Sequence, residues 1–335
     1  MLDRFDLRHK VIQAPMAGVS TPELAAAVCD CGGLGSVALG ALDADGARRA
    51  IDRTRALTAR PFAVNLFCHA PARRDPAREA AWLERLRPHF ARFDREPPQR
   101  LSEIYDSFRM NDAMLAMLID ARPAAISFHF GLPSPEQIAA LRETGAMLLA
   151  SATNMGEARQ IAQTGIDVIV AQGWQAGGHR GVFDPDAHDA QAETLALVKD
   201  IAPLGLPVIA AGGIMTQDDA RAAMAAGAAA VQSGTAFLLA PEAGTPAAHR
   251  AALTRGRTIM TRAISGRPAR GVQNLFTAID GGDAPDYPVA YDAAKALNKA
   301  ALAMGETGYG AFWAGTGAAQ AVARPAAETV AALSP

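Results

Sequence analysis

The sequence predicts an α/β protein of the (β/α)8 TIM-barrel class with a small helical cap formed by two insertions. Three observations point there. Eight short apolar runs alternate with helix-like stretches, those stretches begin on capping residues and end on glycines, and a glycine-containing turn follows each of the last two runs. The runs are nearly continuous in apolar residues rather than alternating, as parallel strands covered on both faces require.

In order, the runs are residues 11–14, 35–38, 62–65, 125–128, 147–150, 168–171, 207–210 and 230–232. Between them, Thr21 is placed to cap a helix whose first residue is Pro22, with Glu23 in its electropositive first turn. Thr216 with Asp219 three residues later has the form of a capping box. Gly32 and Gly33, Gly145, Gly165 and Gly227 fall where a helix stops and the next strand begins.

Two segments break this rhythm. Residues 71–117 are rich in Arg, Pro and Glu and read as helices inserted after the third strand. Residues 264–314 follow the eighth strand and hold a turn-rich piece, GGDAPDYP, and then a helical stretch over 290–304. Insertions of this kind collect on the C-terminal face of a barrel, where catalysis takes place. The expected division is therefore a barrel built from 1–70, 118–263 and 315–335, with 71–117 and 264–314 forming a helical cap or substrate domain.

Composition narrows the function. Half of the 335 residues are hydrophobic, a fifth are charged and the formal net charge is -2. With no dense Lys/Arg run there is no electrostatic footprint for nucleic acid or for polybasic membrane docking. Cys29, Cys31 and Cys68 make neither a zinc pattern nor a C-x-x-C redox motif, and no H-E-x-x-H cluster suggests a metal. The charged N-terminus MLDRFDLRHK does not resemble a signal peptide, so the cytoplasm is the expected location. His9, His69, His89, His188 and His249 lack partner motifs and read as surface residues.

The chemistry concentrates at the ends of the predicted strands. Gly212 and Gly213 follow the seventh, and Ser233, Gly234 and Thr235 the eighth, the places where barrel enzymes bind a phosphate with backbone N–H groups. After the sixth strand comes QGWQAGGHRG, in which Gly177 and Gly178 allow close backbone approach to a flat ligand and His179 is the natural acid–base group, with Arg180 beside it to hold an anion or tune it. His129 ends the fourth strand, where it can serve either substrate or a core hydrogen bond. Asn65, and the Gln13-Ala14-Pro15-Met16 end of the first strand, suit the polar edge of a planar heterocycle. Neither G-x-G-x-x-G nor a Walker loop is present, which argues against a Rossmann dinucleotide site and an NTPase.

Taken together, QAPMAGVSTPELAAAV, SFHFGLP, SATNMGEA through AQGWQAGGHRGVF, PVIAAGGI and AVQSGTAF resemble the class I nitronate monooxygenases, formerly 2-nitropropane dioxygenases, from about Val11 to the C-terminal FWAGTGA. The resemblance implies an FMN-containing barrel that oxidises alkyl nitronates such as propionate 3-nitronate with O2, releasing a carbonyl compound and nitrite or related nitrogen oxides. It makes His179 catalytic, Gln172 and Asn65 partners of the flavin ring, and Ala14, Pro15 and Met16 a backbone shelf beneath it. Gly177, Gly178, Gly212, Gly213 and Gln232 to Thr235 become flavin and phosphate contacts, and His129 and Tyr105 substrate neighbours. The family commonly has Glu before Ala-Gly-Gly-His. Here Gln175 stands there with Trp174 ahead of it, altering local charge and pocket shape. Two other readings stay open: an FMN-dependent NAD(P)H-linked reductase of enoyl-ACP or quinone type, and a non-catalytic barrel that binds a phosphate ligand.

Overall fold

Each of the eight apolar runs is a strand. In a computed structural model that describes residues 2–335, the strands in chain order are β1 (Val11–Gln13), β2 (Ser36–Ala38), β3 (Ala63–Phe67), β4 (Ala125–His129), β5 (Met147–Ala152), β6 (Val168–Gln172), the short β7 (Gly178–His179), β8 (Val208–Ala211), β9 (Ala230–Ser233), β10 (Thr258–Thr261) and β11 (Ala269–Val272). All but β7, β10 and β11 form one parallel sheet in the order β1-β9-β8-β6-β5-β4-β3-β2. Its edges meet through Leu34, which donates to Val11 O at 3.0 Å and accepts from Gln13 N at 2.9 Å, so the sheet closes into the expected barrel.

The barrel wall is completed by α1 (Pro22–Asp30), α2 (Ala44–Leu57), α4 (Asp112–Ala121), α5 (Pro135–Glu143), α6 (Met155–Ala162), α7 (Thr194–Ile201), α8 (Gln217–Ala225) and the C-terminal α11 (Ala326–Leu333), while α3 (Pro76–Ala91), α9 (Ala247–Leu253) and α10 (Val289–Ala303) lie in the longer connections. The caps act as their residues dictate. Thr21 Oγ1 accepts from Leu24 N at 3.0 Å with Pro22 at the first helical position, and Thr216 and Asp219 complete a capping box. Gly227 ends α8 at φ +108°, in the left-handed region open to glycine.

Inside the barrel, Ile12, Leu34, Met147, Leu149, Val168, Val170 and Ile209 make a packed core, with Phe5 joining the same cluster from the N-terminal segment. A larger cluster fills the space between strands and helices, and it includes Met114, Met117 and Leu118 of α4. A third, separate cluster joins the two insertions: Trp82, Leu86 and Phe90 of α3 pack with Ala290, Ala293 and Leu297 of α10. Ion pairs join the two insertions through Arg73 and Arg78 on Asp286, and Arg73 and Arg262 both reach Asp186 in the loop after β7.

Two expectations are corrected. The reading from sequence placed no strand beyond the eighth, yet β10, β11 and β7 form an antiparallel three-stranded sheet in which Ala269 pairs with His179 and Arg270 with Gly178. A two-residue strand whose partner lies some ninety positions away leaves no periodicity to detect. His69 and His249 are not surface residues but are buried, at 1 % and 4 % exposure. His249 donates from Nε2 to Trp313 O at 3.1 Å and stacks on Phe312, whereas His69 packs edge-on against Tyr287.

Candidate active site

The parallel strands bring the predicted polar residues to one rim because all of them end there. Register pairs Asn65 with Ser127, Phe67 with His129, Gln172 with Ala211, Ala211 with Gln232 and Gln13 with Ser233. The side chains then lock the loops that leave this rim. Gln13 Oε1 accepts from Ser36 N at 2.9 Å while its Nε2 donates to Ser20 Oγ at 2.8 Å, and Ser20 Oγ accepts from Met16 N, fixing the Ala14-Pro15-Met16 shelf. Asn65 Nδ2 donates to Ser127 Oγ at 2.8 Å. Gln172 is used at both ends, donating to His179 O at 2.9 Å and accepting from Gly181 N at 2.7 Å.

His179 is held on the small sheet at the centre of this rim. Its Nε2 lies 2.8 Å from Ser265 Oγ, and its ring sits among Phe130, Tyr287, Tyr291 and Trp313 at centroid distances of 5.6, 5.4, 6.1 and 5.1 Å. Burial pushes the imidazole down to about 3, and His129 and the cation of Arg267 add to the effect, so the ring is neutral at physiological pH. His129 is likewise held neutral, pushed down to about 4 chiefly by burial. Its Nε2 donates to His179 O at 3.2 Å, which leaves Nδ1 to accept from Ser151 Oγ at 2.9 Å. The imidazole that could have faced either substrate or core thus has both nitrogens engaged, and it positions the His179 backbone.

The glycine turns have physical reasons of their own. At Gly212 φ is +112° and a Cβ would lie 2.9 Å from Ala176 N, and at Gly213 φ is +74° and a Cβ would lie 3.1 Å from Gln175 Cβ. The two turns are joined by Ser233 Oγ donating to Ile214 O at 2.7 Å, and Thr235 Oγ1 accepts from Gly315 N at 2.9 Å. Gly178 takes φ +73°, while a Cβ on Gly177 would lie 2.4 Å from Ala314 C. Gln175 spends its Oε1 on Thr194 N and Oγ1, both at 3.0 Å, at the start of α7. Arg180 is not available to an anion, because it is bidentate on Asp189 and donates to the carbonyls of Gln172 and Gly173.

Several site residues escaped the sequence reading. Tyr287, Tyr291 and Lys295 recur every four residues into α10, which sets them on one helical face, and that spacing was the available signal. Lys295 Nζ stands 4.6 Å from the Tyr105 ring, and Tyr105 lies 6.3 and 5.9 Å from Tyr287 and Tyr291, so the predicted substrate neighbour does join this aromatic group. Ser265, Arg267, Phe130 and Trp313 carried no signal. Among the described residues no group of His, Cys, Asp and Glu is arranged to hold a metal, and no helix is long and apolar enough to cross a membrane.

A closed parallel barrel with a histidine in an aromatic box over the strand C-termini, beside paired glycine turns, defines a TIM barrel of the kind that hosts enzymes. The nitronate monooxygenase family model matches residues 1–335, and the chain belongs to that family of oxidoreductases. It is 56 % identical to a nitronate monooxygenase of Paraburkholderia phytofirmans, covering 99 % of this chain and 93 % of that one, and 52 % identical to one of Pseudomonas aeruginosa, covering 99 % and 98 %. Among solved structures, a nitroalkane oxidase from Streptomyces ansochromogenes superimposes with a TM-score of 0.92 at 40 % identity, over 99 % of this chain and 96 % of that one. The family is flavin-dependent.

Proposed function

We propose that this protein is an FMN-dependent nitronate monooxygenase that oxidises alkyl nitronates, such as propionate 3-nitronate, with O2 to a carbonyl compound and nitrite or other nitrogen oxides. The observation that carries the reading is His179: a neutral imidazole fixed through Ser265 within an aromatic box, at the rim where the glycine turns gather. A histidine held near 3 is poorly matched to removing a proton from a neutral nitroalkane near pH 7, since a general base works best with a pKa close to the operating pH. It suits a substrate that arrives already as the nitronate anion. Ser265 Oγ also lies 3.3 Å from Arg267 O. It also accepts from Arg267 N at 3.4 Å, and with the hydroxyl proton turned to His179 Nε2 the imidazole carries its hydrogen on Nδ1, where it can be donated to the anion.

The residues present fit FMN. The turns at Gly212, Gly213 and Gln232 to Thr235 suit the phosphate, with Gly177 and Gly178 nearby, and Ala14 to Met16, Asn65 and Gln172 suit the ring. One monophosphate site without a dinucleotide fingerprint favours FMN over FAD. When bound, the flavin supplies the electron transfer that lets the substrate react with O2. The protein's share is to orient the anion beside His179, with Tyr105 and the tyrosines of α10 as walls and His129 as a positioning residue. The segments 71–117 and 264–314 act as the cap that shields this space from water, α4 lending its inner face to the barrel. We place the enzyme in the cytoplasm, with a small nitronate and O2 as its only reactants.

Oxygen uptake by the purified yellow protein with propionate 3-nitronate tests the reading. Rapid uptake with nitrite release is expected. Prompt anaerobic bleaching by NADH without nitronate turnover would instead favour the reductase, and a protein that takes up no FMN would favour a phosphate-ligand barrel.

A further inference from the structure

Three buried arginines surround the site, and they differ in what satisfies them. Arg180 is paired with Asp189, and Arg270 places Nε and Nη2 on Trp174 O at 3.2 and 3.0 Å. Arg267 is 3 % exposed and makes no ion pair among the described residues; it reaches Val182 O through Nη2, and its Nε has no partner. Of the two carboxylates whose charge reaches it, Glu157 is already committed to Thr153 and to Phe183 N, and Asp184 accepts from Asp186 N and makes no ion pair with Arg267. A second orphaned atom belongs to the same space: His69 Nδ1 is buried without a partner. Buried polar groups in native proteins are nearly always satisfied, and a buried cation without a counter-charge is costly, so an unpartnered N–H on a buried guanidinium points to something that completes it.

The common wall is Phe130. The Arg267 Cζ lies 4.4 Å from its ring centroid, and the rings of His179 and His69 stand 5.6 and 6.4 Å from it. Phe130 has φ +75°, a left-handed conformation that a bulky residue keeps only where its surroundings impose it, and such residues cluster at ligand sites. Burial and the Arg267 charge push His69 down to about 4, leaving a neutral ring whose one hydrogen goes to the Tyr105 backbone, so the anion-directed donors on this wall belong to Arg267.

We propose that Arg267 is the anion-binding element of the substrate pocket, its guanidinium receiving the planar, negatively charged oxygens of the nitronate. A guanidinium presents coplanar donors that match two oxygens on one atom, which a point charge such as lysine does not. This assignment rests on the nitronate reading and names the residue that would select an anion over its neutral parent.

The test uses the FMN-loaded enzyme and nitrate, a planar oxyanion that cannot turn over. In the wild type, nitrate should perturb the flavin absorbance and compete with ethyl nitronate, while the neutral planar molecule urea should do neither. A charge-assisted hydrogen bond corresponds to about tenfold to a hundredfold in affinity. Arg267→Met should therefore raise both the nitrate Kd and the nitronate KM by that factor, with Arg267→Lys intermediate, at unchanged FMN content and Tm. If Arg267→Met does not fold, the Lys variant and the wild-type nitrate-against-urea comparison still decide. Wild-type nitrate affinity in either folded variant, loss of FMN with nitrate binding unchanged, or equal effects of nitrate and urea would overturn the proposal. An enzyme that binds nitrate through Arg267 yet oxidises no nitronate would sink the nitronate reading and leave the anion site standing.

Discussion

The imidazole Nε2 of His179 lies 2.8 Å from the hydroxyl oxygen of Ser265, a residue 86 positions further along the chain. One residue lies on β7 and the other in the turn between β10 and β11, and the pairing of β7 with β11 is what brings them together. The contact fixes the ring's rotation.

Replacing Ser265 with Ala should therefore loosen His179 without removing it. The loss of one neutral hydrogen bond predicts roughly a two- to tenfold fall in kcat/KM with propionate 3-nitronate. Threonine, which keeps the hydroxyl, should restore most of it. Equal rates in the wild type and the Ala variant would show that the contact does not orient the imidazole.

His179→Asn should keep FMN and lose most nitronate turnover, because the glycines and amides that suit the cofactor are separate from this imidazole. A hydrogen bond from the imidazole to the anionic substrate contributes about tenfold to a hundredfold, so kcat/KM should fall on that scale. FMN content, Tm and oxygen uptake on one preparation distinguish this from a merely structural histidine, whose loss would lower Tm and spare turnover per bound flavin.

Four histidines, His69, His129, His179 and His249, have pKa values depressed to about 4, 4, 3 and 4, each chiefly by burial. A histidine with a depressed folded pKa leaves the unfolded chain holding more protons as soon as pH drops below the unfolded value, so stability is fully present above about pH 6.5 and lost as pH falls toward 4. Each contributes up to about 1.4 kcal/mol per pH unit in that window. Urea midpoints measured from neutral pH downward should fall steeply well before the carboxylates titrate, and His249→Gln should flatten the slope by about one proton. A midpoint constant down to about pH 5 would contradict the buried, neutral state.

Because His179 stays uncharged far below neutrality, kcat/KM for a preformed nitronate should be flat from about pH 6 to about pH 9. A bell-shaped profile centred near 7 would instead mean that the histidine titrates in the free enzyme.

Gly212→Ala tests the phosphate turn. The left-handed φ of +112° and the 2.9 Å approach of the new Cβ to Ala176 N place the strain at the turn itself. Strain of about 1–3 kcal/mol in that turn should weaken FMN binding by about tenfold to a hundredfold. Titration of apoprotein with FMN, beside a Tm that falls by a few degrees, would show it. Unchanged FMN affinity would move the phosphate elsewhere.

The amino-acid sequence by itself determined the barrel and the level at which its site lies. Strand and helix periods, the caps at Thr21 and Thr216 and the glycine stops are local codes, and parallel strands of similar length carry Asn65, His129, Gln172 and Gln232 to one rim once the barrel closes. His179 was legible because two glycines and a strand end stand beside it. Only the tertiary structure decided what surrounds it: that Arg180 is spent on Asp189 while Arg267 is left unpaired, that His129 props a backbone carbonyl, and that Ser265, Tyr287, Tyr291 and Trp313 enclose the imidazole. The reason is that charge pairing and burial depend on distance in space, and the segments that meet at His179 come from β7, the β10–β11 turn, the start of α10 and the stretch before α11, which no pattern along the chain links in advance.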